Sequence, residues 1–180
     1  RSDASVTMRH RIAAVVLLLF LSNCAIESSQ VQALRQLFAE SEVDLSLHLW
    51  ELEFAGHRAL VSAVVAEGKT FFVNDNSDLL VFDGWVITQA RGLRRFQRPW
   101  IIFDDGEERY FRSAGQVRAV HVCEPWISIQ DNKVTRFLQS CTGDRGYTNT
   151  ILVDSLGRIT DIQQVIDDNR NILSLRLLEK

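Results

Sequence analysis

Three cysteines and one arginine-rich run have a residue type and spacing suited to chemistry. An odd cysteine count suggests a pair plus one cysteine with a separate task. Cys123 and Cys141 are the natural pair. Between them lie Cys123–Gln130, a turn at Asp131-Asn132-Lys133, and Val134–Cys141. A hairpin centred on Asn132 sets Ile127 opposite Phe137, Trp126 opposite Leu138 and Cys123 opposite Cys141. Directly opposed residues are close enough for a disulfide. Pro125 has no N–H for a ladder, so the first strand should be bulged there or lie at an edge. His121 lies two residues before Cys123, but three ligands make a poor zinc site, and the disulfide is preferred. The second feature is Arg91-Gly92-Leu93-Arg94-Arg95-Phe96-Gln97-Arg98-Pro99-Trp100. Guanidinium forks match carboxylates and phosphates, and aromatic faces match sugar rings or acyl chains. Arg91, Arg94, Arg95, Arg98, Trp85 and Trp100 are therefore the ligand-binding candidates. In the competing reading these arginines pair with the chain's own acids, while Leu93, Phe96 and Trp100 enter the core.

The third cysteine, Cys24, sits at the end of a leader. A basic stretch, Met8-Arg9-His10-Arg11, precedes the apolar run Ile12–Leu21 and the exit Ser22-Asn23. This order is that of a secretory signal peptide, and the run is shorter than the roughly 20 residues a bilayer span needs. Leu21-Ser22-Asn23-Cys24 is similar to a bacterial lipobox, with Asn23 where Gly, Ala or Ser is usual. Cys24 is thus the expected lipid attachment, against the plainer reading of an ordinary signal peptide with an incidental cysteine. Ala25 is not the Asp of an inner-membrane retention signal, which points to the periplasmic face of the outer membrane. Residues 1–23 are expected to be upstream residues and leader, and 24–180 a single β-rich periplasmic domain.

The elements that must position these residues are short strands. Gln30–Phe38 places Val31, Leu34, Leu37 and Phe38 on one face of a short helix. After Asp44 the apolar period becomes two: Trp50, Leu52 and Phe54 alternate with Glu51, Glu53 and Ala55. Turn signals follow at Gly56-His57, Gly68-Lys69, Asn74–Asp78, Asp83-Gly84, Asp105-Gly106, Gly157 and Asp167-Asp168-Asn169. Asp83-Gly84 reads as a two-residue hairpin leading into Trp85–Thr88. The expected fold is mainly β: an antiparallel, strongly curved sheet, sandwich or partly open barrel, with one short N-terminal helix.

Composition narrows the function. The chain has 180 residues, 46% hydrophobic, with 20 Lys+Arg against 23 Asp+Glu and a formal charge of −3. That is enough apolar material for a core and no electrostatic case for nucleic acid. His48, His57 and His121 lack metal-binding spacings, no Gly-x-Ser-x-Gly elbow occurs, and no phosphate-cradling glycine loop is present. Asn74, Asn76 and Asp78 alternate as calcium ligands do, without the Gly and distal Glu of a calcium loop. Asp104-Asp105, Glu107-Glu108 and Asp167-Asp168 read as solvated turn charges. No cofactor and no metal are expected, and binding is expected rather than catalysis.

The run Phe71-Phe72-Val73 … Leu79–Leu93, following the lipobox and short helix, resembles the YjbF-type lipoproteins. Gly84, Val86, Ile87, Thr88, Gly92 and Leu93 fit that pattern, whereas Trp85 replaces its usual Arg. Asn149–Asp154, Gly157-Arg158-Ile159 and Gln163–Ile166 are similar to the family's closing strands. The resemblance implies an outer-membrane lipoprotein associated with capsule or exopolysaccharide production, with polysaccharide or export-machinery proteins as partners. It supplies no catalytic residue, and the cysteine hairpin lies outside its pattern. The alternative is a lipid- or lipoprotein-binding carrier with an apolar groove.

Overall fold

A computed structural model describes residues 49–94, 96–131, 133–143 and 145–178. The expected helix over Gln30–Phe38, the leader, Cys24 and His48 lie outside them. Thirteen strands form one antiparallel sheet: β1 (Leu49–Phe54), β2 (His57–Ala66), β3 (Lys69–Val73), β4 (Leu79–Phe82), β5 (Ile87–Gly92), β6 (Phe96–Asp105) and β7 (Glu108–Ser113) come first. They are followed by β8 (Gln116–Cys123), β9 (Ile127–Asp131), β10 (Val134–Thr142), β11 (Tyr147–Val153), β12 (Ile159–Val165) and β13 (Ile172–Leu177).

The sheet closes on itself, which corrects the expected sandwich or partly open barrel. Neighbours run β1 to β8 in chain order, then β10 to β13, and β13 pairs with β1. Twelve strands therefore form a closed barrel, with β9 attached to β10 alone. No helix occurs among the described residues. Closure has a physical origin in the hairpins. Turns such as Ala55-Gly56, Glu67-Gly68 and Ala114-Gly115 have both φ positive. That backbone twist matches the twist of the flanking strands and joins each strand directly to the next. A sheet built so, tilted and coiled, meets its own far edge.

The strand order defines two rims. At the near rim β1 begins, β13 ends, and the turns 67–68, 83–86, 106–107 and 154–158 lie. At the far rim lie the turns 55–56, 74–78, 93–95, 114–115, 143–146 and 166–171. Inward residues of alternating strands fill the space between. Leu52, Phe54, Phe72, Phe82, Phe111 and Ile162, all nearly inaccessible, are among them.

Two local expectations are also corrected. Asp83-Gly84 is not a two-residue hairpin: Phe82 pairs with Ile87, so the loop is 83–86. The Asp83 carboxylate accepts the N–H groups of Trp85 (2.8 Å) and Val86 (2.7 Å), which stabilises the longer turn. The cysteine hairpin is displaced by one residue. Ile127 faces Leu138 rather than Phe137, while Cys123 does face Cys141 and is bonded to it. β8 and β9 lie along the same edge of β10 as two pieces of one interrupted strand. The break at 124–126, where Pro125 cannot join the ladder, absorbs the slip.

Candidate functional site

The arginine-rich run folds as the β5–β6 hairpin at the far rim. Its tip is unusual, because Gly92, Leu93 and Arg94 have φ of 82°, 56° and 54° in succession. For Leu and Arg this left-handed backbone is costly. It is held by the burial of Leu93, which is inaccessible, and by the Leu93 N–H donated to Asp78 Oδ1 at 2.7 Å. Gly92 is required twice over. Its φ suits glycine, and a Cβ there would sit 2.7 Å from Asp78 Oδ1 and 2.8 Å from Ser77 O.

Asp78 ties three far-rim turns together. Its Oδ2 lies 2.9 Å from His57 Nε2, just after the β1–β2 turn, and accepts Asn74 Nδ2 at 2.8 Å within the β3–β4 turn. Its Oδ1 takes the β5–β6 tip. Burial pushes the Asp78 carboxyl up, but the hydrogen bonds from His57, Asn74 and Leu93 outweigh that and hold it below its ordinary 3.8. Asn74 Oδ1 meanwhile accepts the N–H groups of Asn76 and Asp78. The Asn74–Asp78 loop is thus occupied with its own closure, and among the described residues no three His, Cys, Asp or Glu converge on a metal position.

On this strapped tip Arg91, Arg94 and Arg98 are exposed. Among the described residues no carboxylate pairs with any of them. Arg95 lies outside the described residues. The apolar half of the competing reading holds: Leu93 is buried, and Phe96 and Trp100 pack against the core. Phe96 lies 5.2 Å from the Phe54 ring and 5.8 Å from Trp100. Its electrostatic half finds no support among the described residues, where Arg91, Arg94 and Arg98 meet no carboxylate.

Trp85 stands apart from this group. It belongs to the 83–86 loop at the near rim, separated from the arginine tip by the length of β5, roughly 20 Å. Buried Gln164, near the end of β12, holds the loop: its Oε1 accepts Ile87 N–H (2.9 Å) and its Nε2 donates to Trp85 O (2.6 Å). The Trp85 ring packs on Trp126 and Phe137.

Sequence reasoning also missed a buried polar group. Arg109 is inaccessible, yet it donates through Nε and Nη2 to Asp104 at 2.7 and 2.8 Å. Its Nη1 has no hydrogen-bond partner among the described residues. Beside Arg109 on β8, His121 Nδ1 lies 3.0 Å from the Tyr147 hydroxyl. Burial raises the Tyr147 phenol to about 12, so it stays protonated at any ordinary pH. Asp104 is therefore not merely a solvated turn charge. Asp167 also departs from that reading, being buried with both oxygens accepting from Asn171. The available signal was the symmetry of Asp104 and Arg109 about the 106–107 turn, an opposite-charge cross-strand pair.

No family model and no curated protein matches the chain. A solved structure does: the hypothetical lipoprotein YmcC from Escherichia coli (K12). It is 15% identical, with a TM-score of 0.55, covering 84% of this chain and 96% of that one. At that identity the likeness shows a shared fold.

Proposed function

We propose that the protein is an exported, lipid-anchored accessory module of surface polysaccharide production or export. On this reading it acts by binding acidic polysaccharide through the β5–β6 arginines. The observation that carries it is the presentation of Arg91, Arg94 and Arg98. They stand exposed and, among the described residues, without a carboxylate partner on a strapped tip of an acidic chain. Guanidinium groups fixed in this way match uronate or other acidic substituents on sugars. The lipobox ending at Cys24 supports the anchor, and so does the shared fold with a protein described as a lipoprotein. The carrier alternative fares worse, because the barrel interior is filled by large apolar side chains rather than hollowed into a groove.

Retention of the full chain on immobilised alginate, a uronate polymer, against neutral dextran is the direct test. Alginate is expected to retain it, and Arg91→Gln/Arg94→Gln/Arg98→Gln to weaken retention about tenfold. Equal retention of the variant would sink the ligand reading. For the anchor, Cys24→Ser is expected to leave the membrane fraction, and a variant that remains there would remove the lipidation claim.

A further inference from the structure

β9 is a strand half-paired along its whole length, at the rim opposite the arginines. β9 pairs with β10 on one side and, among the described residues, with nothing on the other. All five of its residues are exposed, Ile127 and Ile129 at 59% and 49%. Edge strands are ordinarily blunted by lysine, proline or a bulge. Ile127-Ser128-Ile129-Gln130 carries none of these along its length. At its base, where Pro125 breaks the strand, a cavity of about 120 Å³ opens between Asp104, Gly106, Glu107, Cys123, Glu124 and Gln139. It is far below the roughly 300–1,000 Å³ of a small-molecule site and suits one side chain.

We propose that the free edge of β9 docks an extended, basic and apolar segment of a partner protein by strand addition, with one Lys or Arg side chain in the cavity at the strand break. Every second residue of an edge strand directs its N–H and C=O outward, so an added strand satisfies groups that otherwise face water. Its apolar side chains cover Ile127 and Ile129. Charge selects the partner. Asp105, Glu107, Glu108 and Glu124 are exposed around the base of β9 and outnumber the exposed Lys133, at the hairpin tip, and Arg136, opposite Ile129 on β10. A second copy offers this edge the same net acidic surround rather than a basic segment, and an anionic lipid surface would be repelled as well. A basic segment is attracted. The same argument separates β9 from the other half-paired edge, Gln116–His121 of β8, which carries Arg118 near the far rim. The inference concerns a different rim from the arginine site and stands independently of the polysaccharide reading.

The probe is a short peptide of alternating Lys and Val added to the full chain, with hydrogen exchange as the readout. Slower exchange is expected over 127–131, with affinity falling as salt rises. The Glu/Val peptide, and a Lys/Val peptide N-methylated at alternate residues, should each bind about tenfold more weakly or worse. Undiminished binding of the N-methylated peptide would overturn strand addition, since that peptide keeps its charge but loses ladder donors. Protection over 116–121 instead, or no protection at millimolar peptide, would also overturn it. Concentration-dependent protection of 127–131 without peptide would mean that a second copy occupies the edge, against the proposal.

Discussion

At the residue scale, Asp78 decides the geometry of the arginine tip. One carboxylate receives a backbone N–H from Leu93 and side-chain bonds from Asn74 and His57, all inside the fold. Asp78→Ala leaves those donors buried without an acceptor, and urea unfolding is expected to show a loss of about 3 kcal/mol. Gly92→Ala is expected to cost about 2 kcal/mol or more, because both its φ and the approach of Ser77 O oppose a Cβ. The tip is also acid-sensitive. A carboxyl held below 3.8 in the folded chain favours folding in its charged form. That stabilisation is complete above the unfolded value and lost as pH falls below about 4 toward the folded value. Stability measured from pH 6 downward should therefore decline less steeply in Asp78→Asn than in the parent. An unchanged acid limb would show that Asp78 is not linked in this way. The Gly92-Leu93 pair stood out in the sequence as family punctuation, and its reason lies in the turn that Asp78 holds. That tie was hidden, because His57, Asp78 and Leu93 come from three different hairpins.

At the element scale, the strands were readable wherever a turn declared itself by local chemistry. Gly56 and Gly68 punctuate an apolar alternation of period two, though the turns are 55–56 and 67–68, one residue before the expected Gly56-His57 and Gly68-Lys69, and β4 and β11 have the boundaries the alternation suggests. Legibility failed where a side chain or a proline altered the turn. Asp83 extended its own loop by capping two N–H groups, and Pro125 split one strand into two with a register slip. The cysteine pairing survived the slip because the break lies between Ile127 and the disulfide. That disulfide has a mechanical position. β8 and β10 share only two residue pairs, Cys141 with Cys123 and Thr142 with Val122, so the bond clasps the seam of the ring. Cys123→Ser/Cys141→Ser is expected to cost about 3 kcal/mol. Amide exchange should quicken first along β8 and β10, while β1 and β13, with five opposed pairs, keep their protection. Uniform acceleration around the barrel would argue against a seam.

At the scale of the whole molecule, ring closure depends on pairings that no local pattern announces. Trp50 meets Leu177, and Cys123 meets Cys141, across most or part of the chain. Closure sets exposed Arg91, Arg94, Arg98, Arg118 and Arg145 at or near the far rim beside Asp75 and Asp168, whereas the near rim carries both signs, Glu67, Asp83, Asp105, Glu107 and Glu124 with Lys69, Lys133, Arg136 and Arg158. β1 begins at the near rim, the end away from the arginines. If the far rim is the anionic-ligand face, position must matter more than net charge. Lys69→Gln/Lys133→Gln/Arg136→Gln removes the same three charges as Arg91→Gln/Arg94→Gln/Arg98→Gln, but along the near rim. Retention of the two variants on alginate should therefore diverge, with the near-rim variant holding like the parent and the far-rim variant released. The parent's retention should weaken steeply as ionic strength approaches about 0.15 M, where the screening length is near 8 Å. Equal losses in both variants would reduce the interaction to overall charge and leave the far rim without a special role.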